Sequence, residues 1–112
     1  MNGAAESFNY YRKIIRAKGF RGEEAETLVH RVALIAEIKA IIEDKGWTQQ
    51  EAADKLGVKQ PRIAELNSIS VDKFSTDLLI KYLYRLKRMV LVTVIEPPQK
   101  PSDTSTALRK RR

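Results

Sequence analysis

The chain reads as an all-α domain of five helices that ends in one short β-strand, and three stretches carry that reading. Between residues 23 and 45, Leu28, Val32, Ile35, Ile38 and Ile42 recur at spacings of three and four, with Leu34 and Ile41 widening the stripe. That is the period of a helix with one buried face. Residues 47–67, WTQQEAADKLGVKQPRIAELN, divide at Gly57 into two short helices. Residues 89–95, MVLVTVI, are rich in β-branched side chains and alternate only weakly, which suits a strand better than a helix.

Taken in order, residues 6–17 make a short amphipathic helix carrying Phe8, Tyr11, Ile14 and Ile15, and Gly19 and Gly22 bracket Phe20 in a turn. The long helix follows. Glu23, Glu24 and Glu26 suit its positive end, and Lys45 with Gly46 suits the other. Unbroken, it would run about 35 Å, long for a domain of this size, so a bend near Arg31 is expected. In the two-helix motif, Thr48 and Glu51 form a capping box, and Trp47 can staple onto Ala52. Gly57 gives the left-handed exit after Leu56, and Pro61 sits in the first turn of the second helix, where no intrahelical bond is lost. Ala52, Ala53, Leu56, Val58, Ile63 and Leu66 close the two helices on each other. This is the sequence form of a helix-turn-helix, whose second helix suits the major groove of DNA.

Residues 67–74, NSISVDKF, have no clear period and read as a loop. Ser75 then caps a last helix running to about residue 88, with Asp77 in its first turn. Leu78, Leu79, Tyr82, Leu83 and Leu86 form its buried face, while Lys81, Tyr84, Arg85, Lys87 and Arg88 point outward or along the rim. Pro97 and Pro98 end the strand. One strand has no partner within the chain, and its backbone groups need one. Pairing with the same strand of a second copy would close a two-fold dimer. The expected interface comprises Leu83, Leu86, Val90, Leu91, Val92 and Val94. The remainder, PPQKPSDTSTALRKRR, is Pro/Ser/Thr-rich with a basic end and is expected to be disordered. The expected organisation is therefore an N-terminal helical extension (1–22), the motif-bearing domain with its strand (23–96) and a basic tail (97–112).

A chain of 112 residues makes one small domain. It has no cysteine, which excludes a disulfide framework and a thiolate metal site and fits a reducing interior. No run is long enough to span a bilayer and no leader pattern opens the chain, so a cytoplasmic, nucleoid-associated protein is expected. The net charge of +7 points to a polyanionic partner. Residues 1–22 and 97–112 each carry +4, which leaves the middle of the chain close to neutral. Affinity for nucleic acid would thus draw on the flanking segments and on two copies of the motif, because phosphate neutralisation dominates affinity.

The string TQQEAADKLGV-KQPRIAEL resembles the lambda-repressor-like, or Xre, class of helix-turn-helix. KGFRGEEAETLVHRVALIAEIKAIIEDKGWTQ upstream and VDKFSTDLLIKYLYRLKRMVLVTV downstream are similar to the Xre subfamily that includes HigA-like antitoxins, so the resemblance covers residues 18–95. It implies a homodimer closed by the C-terminal strand. It also implies repression at a palindromic operator in double-stranded DNA, and a small RelE- or HigB-like toxin as partner. A free-standing Xre regulator without a toxin, and a protein-binding adaptor that has lost its operator, are the alternatives. Gln49 matches the family's phosphate-contacting glutamine, and Lys73 lies where the family often meets the DNA backbone. The position of Lys59 usually holds a small hydroxyl residue that caps the second helix. A lysine cannot accept that hydrogen bond, so Lys59 is instead an extra phosphate contact or the cap lies elsewhere.

Within the second helix, Gln60 can bond adenine bidentately and Arg62 can do the same to guanine, with Lys59 in support. Glu65 either accepts from a cytosine amino group or holds Arg62 as an i, i+3 pair, and the pair is favoured. Asn67 caps the helix end or touches a phosphate. Nothing argues for an enzyme. His30, the one histidine, has no carboxylate partner in the pattern, Ser7 and Ser75 have no base and are explained as caps, and the acids at 23–26 sit where they help a helix begin. No cofactor or metal is expected.

Overall fold

The apolar stripe of residues 23–45 folds as one continuous helix against which the other described helices are assembled. In the computed structural model, which describes residues 2–96, the helices are α1 (Asn2–Ala17), α2 (Gly22–Lys45), α3 (Gln49–Leu56), α4 (Gln60–Asn67) and α5 (Thr76–Arg85), with a 3-10 turn at Val71–Lys73. α1 begins earlier than its apolar pattern indicated, and the segment expected as plain loop holds the 3-10 turn. α2 has no interruption at Arg31; its Nη1 donates to the Val71 carbonyl (3.1 Å) and ties the middle of α2 to that turn.

α1 folds back antiparallel on the first half of α2. Ile15 is fully buried, Phe8 meets His30 edge-on (5.3 Å between centroids), and Arg12 grips Glu26 with two hydrogen bonds of 3.1 and 2.9 Å. The hydrogen bond from Arg12 holds the Glu26 carboxyl below its ordinary value, although both side chains stay partly exposed, so the pair adds under about 1 kcal/mol. The second half of α2 carries the two-helix motif and α5. Val29, Val32, Ile35 and Ile38 from α2 join Ala52, Ala53 and Leu56 of α3, Ile63 and Leu66 of α4, and Leu79, Tyr82 and Leu83 of α5 in one buried cluster.

The helix ends follow local rules. Thr48 Oγ1 accepts from the Glu51 amide (3.1 Å) while the Glu51 carboxylate accepts from the Thr48 amide (2.8 Å), completing the capping box. Gly57 takes φ +72°, and the Gly57 and Val58 amides return to the Asp54 and Ala53 carbonyls. That pairing of amides is a Schellman cap, and α2 ends the same way at Gly46. α4 and α5 also end in Schellman caps, but their left-handed residues are Ile69 (φ 53°) and Lys87 (φ 65°). A side chain in that region costs about 1–2 kcal/mol. Ile69 is compensated by packing against the core, whereas Lys87 is exposed. Lys87→Gly is therefore expected to raise stability by about 0.5–1 kcal/mol, set by the steric relief less glycine's own entropy. Thermal denaturation by circular dichroism would show it as a gain of a few degrees, by about 4–8 °C per kcal/mol.

Two expectations for the C-terminal region are not met within the single chain. The segment 89–95 forms neither strand nor helix, and the described residues contain no β-ladder. A strand is a hydrogen-bonded relation between two segments, and a single copy supplies only one. Its side chains are left bare: Met89, Leu91, Val92 and Val94 are 82, 81, 82 and 91% exposed. Leu83 and Leu86, expected at the dimer interface, instead lie in the core of the single chain at 3 and 6% exposure. Of the other expected interface residues, Val90 is half-buried against the core, and Leu91, Val92 and Val94 are at the surface. The expected disordered tail, 97–112, lies outside the described residues.

Candidate nucleic-acid interface

The capping box fixes where α3 starts, and the Gly57 turn fixes how α4 leaves it, so two polar side chains at the helix starts come together. Gln49, the first residue of α3, accepts a hydrogen bond from Gln60, the first residue of α4, at 3.1 Å. Each amide keeps further capacity. The Gln49 nitrogen has two donors for a phosphate, while Gln60 retains its carbonyl oxygen and a second N–H, the acceptor-plus-donor set that pairs with an adenine edge. Lys59 stands immediately before them, exposed, at the N-cap of α4. Its side chain makes no capping bond, as the residue type requires.

Arg62 is placed differently from Gln60. Ile63 and Leu66 bury one side of α4, and at 100° per residue Arg62 falls on the flank of that buried side. Its Nη1 donates to Glu65 (2.8 Å) and to the Lys73 carbonyl (3.2 Å), and its guanidinium lies 4.3 Å from the centre of the Phe74 ring. The hydrogen bond to Glu65 raises the Arg62 pKa above its ordinary value. The i, i+3 pair read from the sequence is thus present. Lys73 Nζ sits 3.8 Å from the other Glu65 oxygen, with its own side chain half exposed. Asn67 ends α4, exposed, and its carbonyl accepts from Lys39 Nζ at 3.0 Å.

The structure therefore brings Gln49, Lys59 and Gln60 to one end of α4, gathers Arg62, Glu65 and Lys73 along one flank, and leaves Asn67 at the far end. Two supporting residues went unnoticed in the sequence. Phe74 is 1% exposed and forms the floor under Arg62. It precedes the Ser75 cap, and Leu79 stands four helical positions in, which is the spacing of a hydrophobic staple. That spacing could have revealed it. Arg85, expected at the rim, donates to the Leu56 carbonyl at 2.6 Å and so caps α3 from α5. No local pattern signals that contact.

Among the described residues there is no cluster of three or more potential metal-ligating acids, histidines or cysteines, and no helix is long and apolar enough to cross a membrane. The profile of a helix-turn-helix domain family matches residues 17–95 of the chain. No curated protein and no solved structure gives a match.

Proposed function

We infer, since the chain belongs to the helix-turn-helix domain family, that it is a sequence-specific transcription repressor that binds a two-fold operator as a homodimer. The observation that carries this reading is the Gln49–Gln60 pair, held at the mouth of the two-helix motif by a capping box and a glycine turn. Gln49, Lys73 and backbone amides meet phosphates and set the register, and Gln60, with Lys59 beside it, reads base edges. The bare apolar segment 89–95 supports dimerisation, because pairing with its copy would satisfy its backbone and cover its side chains. Half-sites then lie about one helical turn apart.

Selection of bound duplexes from a random pool at physiological salt tests the reading. A palindromic consensus bound about a thousandfold or more tighter than scrambled DNA is the expected result. Binding that falls equally for all sequences as salt rises would reduce the contact to basic segments on phosphate.

The biological role we propose is that of an antitoxin that represses its own operon and binds a HigB- or RelE-like toxin. The resemblance noted above supports it. So does α1, almost all of which precedes the family match and offers an additional surface. A free-standing regulator is the second reading, favoured by the charge of that surface. Lys13 and Arg16 are exposed there, with Lys18 just beyond the helix, and they would meet a basic toxin unfavourably. Co-expression with the product of an adjacent short gene, followed by co-purification, separates the two.

A further inference from the structure

We propose that Glu65 is a base-reading residue that selects a cytosine in each half-site, and that Arg62 is its positioning residue. The inference rests on the DNA-binding reading above and names what the middle of α4 recognises. Gln60 and Glu65 stand at the two edges of the side of α4 that Ile63 and Leu66 leave uncovered, about 140° apart at 100° per residue, with Pro61 and Ala64 between them. Only Gln60 and Glu65 among these have polar side chains long enough to reach a base edge. They are five residues apart, about 7.5 Å along the axis, which corresponds to about two base-pair steps.

A carboxylate in a groove lined by phosphates would ordinarily be repelled. Here it is flanked by two cations, Arg62 Nη1 at 2.8 Å on one oxygen and Lys73 Nζ at 3.8 Å on the other, so the cluster as a whole is positive. Arg62 is itself immobilised by the Lys73 carbonyl and by Phe74, which fixes the carboxylate it holds. Each oxygen of Glu65 can still accept a further hydrogen bond. In the major groove, donors are offered by cytosine N4 and adenine N6, and adenine sets the acceptor N7 beside its donor. A carboxylate, which only accepts, is repelled by N7 and meets no such atom at cytosine. That difference selects cytosine.

The test is selection of bound sequences with the full chain and with Glu65→Gln, followed by titration on the selected site. The wild-type site is expected to carry a C·G pair about two steps from the adenine read by Gln60. Exchanging it for T·A, which sets an oxygen against the carboxylate, is expected to weaken wild-type binding about fivefold to a hundredfold. This arm requires no protein variant. Glu65→Gln, checked for unchanged helicity and melting, is expected to lose that discrimination and keep the rest of the consensus. Arg62→Ala is expected to relax the same base pair; a purely structural arginine would lower affinity at every site and leave the consensus unchanged. A wild-type consensus without the C·G pair, or one whose C·G preference survives in Glu65→Gln, overturns the proposal. The absence of any wild-type consensus would instead overturn the DNA-binding reading on which it rests.

Discussion

Replacing Val92 and Val94 together with aspartate is expected to leave the helical domain folded and to lower affinity for a full two-fold site by about a hundredfold to ten-thousandfold. Both side chains are almost wholly exposed in the single chain, so neither contributes to its core; helical content should not change, and melting should fall only by the stabilisation that dimerisation adds. In the paired arrangement the substitutions set charges in an apolar ribbon and, across the two-fold axis, like charges near one another. Such pairs destabilise a ladder. Without the dimer, the second half-site is no longer bound as an intramolecular event, and the gain from linking two weak contacts disappears. Sedimentation equilibrium is expected to show a monomer, and affinity for a single half-site should change little. A variant that stays dimeric with undiminished full-site affinity would move the dimer interface elsewhere.

The largest expected loss of stability is at Phe74. Phe74→Ala removes a ring that is 1% exposed, packs edge-on against Tyr82 (6.2 Å between centroids) and supports Arg62 from below. Deleting a buried phenylalanine costs about 3–5 kcal/mol, against a total that for small domains is about 5–15 kcal/mol. Thermal denaturation is expected to show a melting temperature lower by on the order of 20 °C. Phe74→Leu, which keeps most of the volume, should lose much less. Because the ring is also the floor for Arg62, the alanine variant is expected to blunt discrimination at the base pair assigned to Glu65 even at temperatures where it remains folded.

What could be read from the sequence was local. The capping box at Thr48 and Glu51, the left-handed Gly57 and the Ser75 cap each depend on residues three or four apart, and each is present. The buried stripe of α2 was legible because one helical period repeats from Leu28 to Ile42, about four turns. The Arg62–Glu65 pair was legible as an i, i+3 relation, but the partners that fix its orientation, Phe74 and the Lys73 carbonyl, arrive from another element. Arg85 reaches Leu56 across 29 positions, and nothing in its neighbourhood announces that. Leu83 and Leu86 have the composition of either a core or an interface, and only their placement decides between them. The segment 89–95 shows the same gap, since its composition reports a preference for pairing while the pairing itself belongs to an assembly.

In the proposed dimer, the bond from Arg85 to the Leu56 carbonyl would make the protein a caliper. It sits at the end of α5, shortly before the segment 89–95, and it fastens that end to the hinge between α3 and α4. In the proposed dimer the two reading helices are thereby held at a set distance and a set rotation. Inserting one base pair between half-sites turns one of them by about 34–36° around the duplex axis, and a clamped hinge has no slack with which to follow. Operator spacing would then be specified by the protein as strictly as operator sequence, by a side chain that touches no DNA.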